Sequence, residues 1–185
     1  MARRNINEIV TEINQKIELG TTWTGTTYHT IAVLQPRDGQ TWPMKRLDAD
    51  EQGQRISPED TSALQIYHRI INEEIGPPEQ GKGSAMYNEV TYTMRLVGVG
   101  YRPPVTQSTF WNNEEIAQRV MTAMAATSRL QNKELFFVQG QAITDKLTVL
   151  NEEYQNNEEA KQWVLRLLAF AISYTIKLRT VGNDC

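Results

Sequence analysis

The C-terminal region contains a long alternation of large apolar residues with small or polar ones, and this pattern constrains the fold more than any other. Residues 168–179 read Leu-Ala-Phe-Ala-Ile-Ser-Tyr-Thr-Ile-Lys-Leu-Arg. A period of two is typical of a β-strand with one buried face. Such a strand spans roughly 40 Å, whereas most strands have about five or six residues. The pattern therefore predicts a long strand over 168–179, either within a long hairpin or with its far end paired with another chain.

Two segments have apolar residues at the spacing of an amphipathic helix. The first runs from Ile6 to Ile17 and ends at Gly20, and glycine is a common helix terminator. The second follows Asn112 and Asn113, both of which are suitable N-cap residues. Its apolar residues are Ile116, Val120, Ala123 and Met124. The spacing predicts a helix in each segment.

Residues 57–75 carry the strongest helix signals in the chain. Ser57 is a suitable cap, and Pro58 occupies the first helical position, where proline is favoured. Acidic residues follow, as the helix dipole prefers. The apolar stripe comprises Leu64, Tyr67, Ile70, Ile71 and Ile75. These features predict a helix that stops at the Gly-Pro-Pro sequence beginning at Gly76.

The remaining periodic segments are typical of strands. Residues 28–34, 90–96 and 135–138 are rich in β-branched and aromatic residues, and 143–150 is expected to pair with the third of these strands. Residues 35–57 lack periodicity and are expected to form an extended arm or loop, and 76–88 a linker. The chain is therefore predicted to be a single α+β domain over residues 1–185. Its small mixed or antiparallel sheet would pack against two or three helices, with extended loop arms.

The composition excludes several classes of site and location. The chain has one cysteine, Cys185, and two histidines, so it forms neither an internal disulfide nor a zinc site built from Cys and His ligands. The start of the sequence lacks the apolar region of a signal peptide, and no apolar stretch is long enough to span a bilayer. A net charge of -3 gives no basis for tight binding to a phosphate backbone. We expect a cytoplasmically made protein with no cofactor and no membrane partner.

The acidic loop 48–59 is the sharpest candidate for a ligand site. Asp48, Asp50 and Glu59 fall at positions one, three and twelve of a calcium-loop pattern. Gln52 departs from that pattern at position five. An acidic loop leading into a helix explains the same residues without any metal, so both interpretations stay open.

Catalytic constellations are not evident in the sequence. His29 falls in a predicted strand and His68 in a predicted helix, and neither has a nucleophile at motif spacing. Paired acids such as Glu152 and Glu153 do not share a helix face, so we expect them on a solvated surface. The sequence therefore predicts a protein that is not an enzyme.

Aromatic residues outside regular elements are candidates for contacts with other proteins. Trp23 and Trp42 lie in loop-like sequence, and exposed tryptophan and tyrosine are common anchors at interfaces. Tyr174, Ile176 and Leu178 occupy the far end of the long predicted strand. These five residues are the predicted interface set.

The order of elements and the closing run Phe170-Ala-Ile-Ser-Tyr-Thr-Ile-Lys-Leu-Arg179 resemble the tail-terminator and neck ring proteins of tailed bacteriophages. The general character is similar to that of crAss-like phages. The resemblance implies an N-terminal helix with the stripe Ile6, Ile9 and Ile13, and subunits that form a ring between portal and tail. DNA would pass through the lumen without specific binding. The segments 35–57 and 76–88 are longer than a minimal family member needs, and we expect them to contact neighbours.

Three hypotheses of different classes follow from the sequence. The leading one is a virion structural protein that forms a homo-oligomeric ring, is assembled in the host bacterial cytoplasm, and contacts portal, neck or tail proteins. The second is a calcium- or small-ligand-binding module that uses the loop 48–59. The third is an enzyme whose site is assembled between subunits, with His29 or His68 as its base.

Overall fold

A computed structural model describes residues 6–21, 26–37, 39–45, 53–57, 64–80, 86–101, 112–125, 135–163 and 167–181. The helices are α1 (Ile6–Thr21), α2 (Asn113–Ala125), α3 (Lys146–Glu153) and α4 (Glu158–Trp163). The strands are β1 (Thr26–Arg37), β2 (Gln40–Lys45), β3 (Gln54–Arg55), β4 (Gln65–Ile75), β5 (Glu79–Gln80), β6 (Met86–Tyr101), β7 (Leu135–Ile143) and β8 (Leu167–Val181). The α+β class predicted from the sequence is confirmed.

One mixed sheet organises the chain. Its strand order is β3-β2-β1-β4-β6-β8-β7, and the short β5 pairs with β6 beside this path. The pair β1–β4 is parallel, and the other pairs are antiparallel. The sheet is thus wider than the small sheet that the sequence predicts, because segments expected to be a helix and an arm contribute strands to it.

The long strand predicted at 168–179 is confirmed as β8, and its full length has a partner strand within the chain. It pairs with β6 without interruption from Tyr101↔Leu167 to Tyr87↔Val181, and it pairs with β7 on its other side. The far end of β8 therefore finds its partner in β6 of the same chain. Because β6 is about as long as β8, the unusual length of β8 does not require a partner strand from another chain.

Helices cover both faces of the sheet around β8. On one face α1 and α2 pack over the even-numbered residues Leu168, Phe170 and Ile172. On the other face α3 and α4 pack over Leu167, Ala169 and Ala171. All six of these side chains are buried. The large residues thus face the larger helical layer, and the alanines give α3 and α4 room to approach the sheet.

The predicted helix over 57–75 is wrong where the structure describes it, because residues 65–75 form β4. Ile66 and His68 face α1 while Tyr67 and Arg69 face α3. Burial of both faces at residues 65–68 removes the alternation expected of a strand, and the exposed Ile71 and Ile75 complete a helical spacing by chance. Pairing with β6 from Gln65↔Val99 to Ile75↔Val90 outweighs the local capping signals.

The predicted arm at 35–57 also proves to be ordered sheet in its described parts. β1 continues to Arg37, and Gly39, with φ of 77°, forms the turn into β2. A positive φ is a conformation that glycine adopts at little cost. β2 then pairs with β1 and with β3. The expected arm is therefore a hairpin edge of the sheet.

Two further expectations need correction. The linker 76–88 is partly strand, because β5 pairs with the start of β6 through Glu79↔Tyr87. Residues 146–150 belong to helix α3 instead of pairing with β7 as a strand. Asp145 caps that helix by accepting a hydrogen bond from the Thr148 backbone N–H at 3.2 Å. A single N-cap residue thus decides the end of β7 and the start of α3.

Candidate functional site

Strand β4 divides into a covered half and an exposed half. Residues Gln65–His68 are fully buried between the two helical layers. Residues Ile71–Ile75 are all exposed, and among them Ile71 is 46% and Ile75 is 64% exposed. Two large aliphatic side chains in water on one strand form the most prominent apolar surface feature of the described sheet.

The backbone of this exposed half also lacks a strand neighbour on one side. The pairing of β4 with β1 ends at Ile31↔His68, while the pairing with β6 continues to Ile75↔Val90. Residues 69–75 therefore form an open edge among the described residues. A bulge interrupts the ladder between Ile70 and Asn72. Open edges present unpaired N–H and C=O groups that are available to another strand.

A second edge lies on the opposite side of the sheet. β7 is the terminal strand of the sheet order, and its residues Leu135–Gln139 pair with β8 from Leu135↔Lys177 to Gln139↔Ser173. The outer side of β7 faces no other strand in the described part of the chain. The sheet order ends at β7 on this side and at β3 on the other, and the exposed half of β4 forms a further open edge within that order.

A buried charged cluster holds α3 against the covered half of the sheet. The Glu153 carboxylate is fully buried and accepts hydrogen bonds from Arg69 Nη1 at 2.7 Å and from Tyr67 Oη at 3.2 Å. Arg95 Nη1 pairs with Glu152 and lies 3.6 Å from Glu153. Burial raises the pKa of Tyr67 well above its ordinary value, and the nearby Glu153 carboxylate raises it further. The cluster fixes α3 through these contacts, although the buried Arg95 Nε has no hydrogen-bond partner among the described residues.

A neutral polar network occupies the other face. His68 Nδ1 lies 2.7 Å from Tyr174 Oη, and His68 Nε2 lies 2.8 Å from Asn14 Oδ1. All three side chains are fully buried. Asn14 Oδ1 can only accept a hydrogen bond, so His68 Nε2 donates to it, and in a neutral imidazole Nδ1 then accepts from the Tyr174 hydroxyl. Burial raises the pKa of Tyr174 well above its ordinary value. The network ties α1 to β4 and β8 and has no opening to solvent.

This geometry bears on the enzyme hypothesis. His68 is fully buried, where an outside substrate does not reach it, and a structural role explains its hydrogen bonds. His29 lies on β1. Neither position is brought next to the other by the strand pairing, since Ile31 is the β1 residue opposite His68.

A cavity of about 550 Å³ opens beside the hairpin edge of the sheet. Its lining includes Arg37, Trp42, Arg55 and Glu159. The Arg55 guanidinium lies 5.0 Å from the centre of the Trp42 ring, a distance at which a cation is attracted to the aromatic face. Charges of both signs line the cavity, so it favours no single class of ligand.

The predicted interface residues are mostly interior. Trp42 is buried and packs edge-on against Tyr154, with ring centres 5.9 Å apart. Tyr174 and Ile176 are fully buried beneath the α1 and α2 layer, and Leu178 is partly buried at its margin. The prediction that Trp42, Tyr174 and Ile176 form an outer contact is thus corrected, because their side chains fill the chain's own core.

Other predicted positions lie beyond the part of the chain that the structure describes. Trp23, Asp48, Asp50 and Glu59 all fall outside it. Among the described residues, no three His, Cys, Asp or Glu side chains are grouped in a way that could hold a metal ion. No described helix has both the length and the apolar character needed to cross a bilayer.

The sequence patterns did not identify the exposed isoleucines of β4 or the buried position of Glu153. Ile71 and Ile75 were assigned to the buried stripe of a helix, and Glu153 to a solvated helix surface. A usable signal was present at Ile71–Ile75, where the run Ile-Asn-Glu-Glu-Ile has acids beside the isoleucines. Only the strand pairing of β4 shows which of the apolar residues are covered.

Comparisons with known proteins do not identify a family. No protein-family model matches the chain, and no curated protein sequence matches it. The function is therefore inferred from the geometry of the sheet together with the sequence resemblance.

Proposed function

We propose that the chain is a structural subunit of a homo-oligomeric ring in the neck or tail of a tailed bacteriophage. The observation that carries the proposal is the open edge of β4, where unpaired backbone and the exposed Ile71 and Ile75 occur together. The sequence resemblance supplies the setting, with portal, neck or tail proteins as neighbours and DNA in the lumen.

An open apolar edge is costly for a protein that stays monomeric. Unpaired strand edges invite pairing with other chains, and natural proteins usually protect them with charges, bulges or covering segments. β4 has a bulge at Ile71 and acids at Glu73 and Glu74, which disfavour indiscriminate association. A specific neighbour that pairs with this edge would satisfy its unpaired backbone groups.

A contact of this kind leads naturally to a ring. The open edge of β4 and the edge of β7 are different surfaces. Joining different surfaces head to tail produces a closed ring when the rotation between subunits divides a full turn. The resemblance supplies the virion setting for such a ring, and a ring subunit requires no catalytic residue.

The proposal is tested by the absolute mass of the purified protein across concentration, measured by light scattering with negative-stain images of any large species. We expect closed rings of defined subunit number. Ile75→Lys places a charge on the open edge and should shift the protein to monomers. Leu147→Lys is the matched control, because Leu147 is also an exposed aliphatic residue, at 52%, but lies on α3.

The outcomes separate clearly. Rings that form with wild-type protein and with Leu147→Lys, and that dissociate with Ile75→Lys, support the proposal. A wild-type monomer at every concentration overturns it. Rings that survive Ile75→Lys would place the contact elsewhere and remove the observation that carries the proposal.

A further inference from the structure

We infer that neighbouring subunits join by antiparallel β-pairing of the open edge of β4 in one subunit with the edge of β7 in the next. The inference rests on the proposed ring and names its contact. Two properties of the sheet support the pairing: the level of the two edges and their strand directions.

The two edges lie at the same level of the sheet. Asn72, Glu73 and Glu74 pair with Thr93, Tyr92 and Thr91 of β6. Those residues pair in turn with Thr175, Ile176 and Lys177 of β8, which pair with Phe137, Phe136 and Leu135 of β7. Each of the three β4 residues therefore shares a row with one β7 residue. A second copy placed sideways in the plane of the sheet meets β4 without a vertical shift.

The strand directions also agree. β4 and β8 each run antiparallel to β6, so they run in the same direction, and β7 runs antiparallel to β8. A neighbour in the same orientation thus presents β7 antiparallel to β4. Antiparallel pairs form the more stable ladder and need no crossover between the paired strands.

The shared rows also define the register of the contact, which a one-residue slip would change. Glu74 and Leu135 share the row of Lys177, and Glu73 and Phe136 share the row of Ile176. The bulge at Ile71 limits uninterrupted pairing to the residues that follow it, which makes the contact short and its register defined.

This contact is heterologous, because each subunit contributes a different edge. Every subunit then carries one β4 edge and one β7 edge, and a closed ring leaves neither of them free. The competing arrangement is a twofold dimer in which two β4 edges pair with each other. The two arrangements predict different cross-links.

Disulfide cross-linking tests the inference in a Cys185→Ser background, since Cys185 is the single native cysteine. The double variant Glu74→Cys with Leu135→Cys places both thiols in one row, where the Cα separation of paired strands suits a disulfide. We expect mild oxidation to give a reducible ladder that ends at the ring number. A mixture of the two single variants should stop at dimers, because each mixed contact leaves the next one without a thiol pair.

Glu74→Cys with Gln141→Cys is the matched control. Gln141 is exposed and lies beyond the register shift that follows Gln139, several rows from Glu74, so no ladder is expected. A second same-row pair, Glu73→Cys with Phe136→Cys, repeats the test in the adjacent row if the first variant does not fold by circular dichroism.

Each other outcome overturns the inference in a recognisable way. Cross-linked dimers from Glu74→Cys alone establish the twofold arrangement. Rings by light scattering without a ladder from either same-row pair overturn the β4–β7 contact and leave the ring proposal standing. A wild-type protein that is monomeric at every concentration overturns both.

Discussion

The covered and exposed halves of β4 are one strand in two environments. Gln65–His68 are enclosed by helices on both faces, whereas Ile71–Ile75 are exposed. Both halves keep the same partner, β6. The difference teaches that pairing within the chain and burial are separable here. The first half of the strand contributes to folding stability, and the second half offers a surface for which stability alone gives no reason.

The largest difference in unfolding free energy between the covered and exposed halves is expected for substitutions that remove one member of an ion pair. Glu153→Ala removes a fully buried carboxylate that two arginines face, and losing one partner of a buried pair costs about 3–5 kcal/mol. Glu89→Ala removes the partner of Lys177 at 3.2 Å in a part-exposed pair near the exposed end, worth about 0–1 kcal/mol. Urea unfolding measures both. Equal losses would contradict the division of the sheet into two environments.

A smaller loss of stability is expected when side-chain volume is added beside the covered half of β4. A Cβ on Gly98 would overlap the buried ring of Phe170, so Gly98→Val should destabilise the fold by about 1–3 kcal/mol. Thr91→Val is the control, because Thr91 also lies on β6 but pairs with Glu74 in the exposed half of β4. Its effect on the free energy of unfolding should stay within about 0.5 kcal/mol. Thermal unfolding followed by circular dichroism measures both changes. A tolerated Gly98→Val would mean that the covered end has unfilled space.

The smallest effect concerns alkaline pH. The pKa of Tyr174 is raised above its ordinary value of 10.0 by burial, so the folded state keeps a proton that the unfolded state releases. The associated stability is fully present below about pH 10 and is lost as pH rises from there toward the folded pKa, by about 1.4 kcal/mol per pH unit. Tyr174→Phe lacks this contribution. Denaturant unfolding between pH 9 and 10.5 should show the stability difference between wild type and variant narrowing, and a constant difference would contradict this.

Elements with one exposed face were predictable from the sequence. α1, α2 and the first part of β6, residues 90–96, have apolar and polar residues at the period of their element. Asn112 caps α2 as expected by accepting from the Glu115 N–H at 2.8 Å. β8 was also identified, because its two faces differ in side-chain size even though both are buried. A visible period of two or of 3.6 requires faces that differ.

Elements buried on both faces were not predictable in this way. Every β4 residue from 65 to 68 is buried, whether apolar or polar, so no period marks this part of the strand, and the local capping signals indicate a helix. The partners of His68 are Asn14 and Tyr174, which lie 54 and 106 residues from it along the chain. The partners of Glu153 are Arg69 and Tyr67, which lie 84 and 86 residues from it. Contacts of such separation depend on strand order, which local patterns do not encode.

The position of β8 in the sheet has a consequence for how the chain folds during synthesis. β8 lies between β6 and β7, and its residues 167–181 leave the ribosome after those of both neighbours. Until β8 is synthesised, one side of β6 and one side of β7 lack a strand partner. The apolar residues that β8 covers are then exposed, which favours aggregation. The sheet closes through contacts of large sequence separation, which fold slowly. A chain interrupted before residue 167 would thus lack the strand that joins β7 to the rest of the sheet.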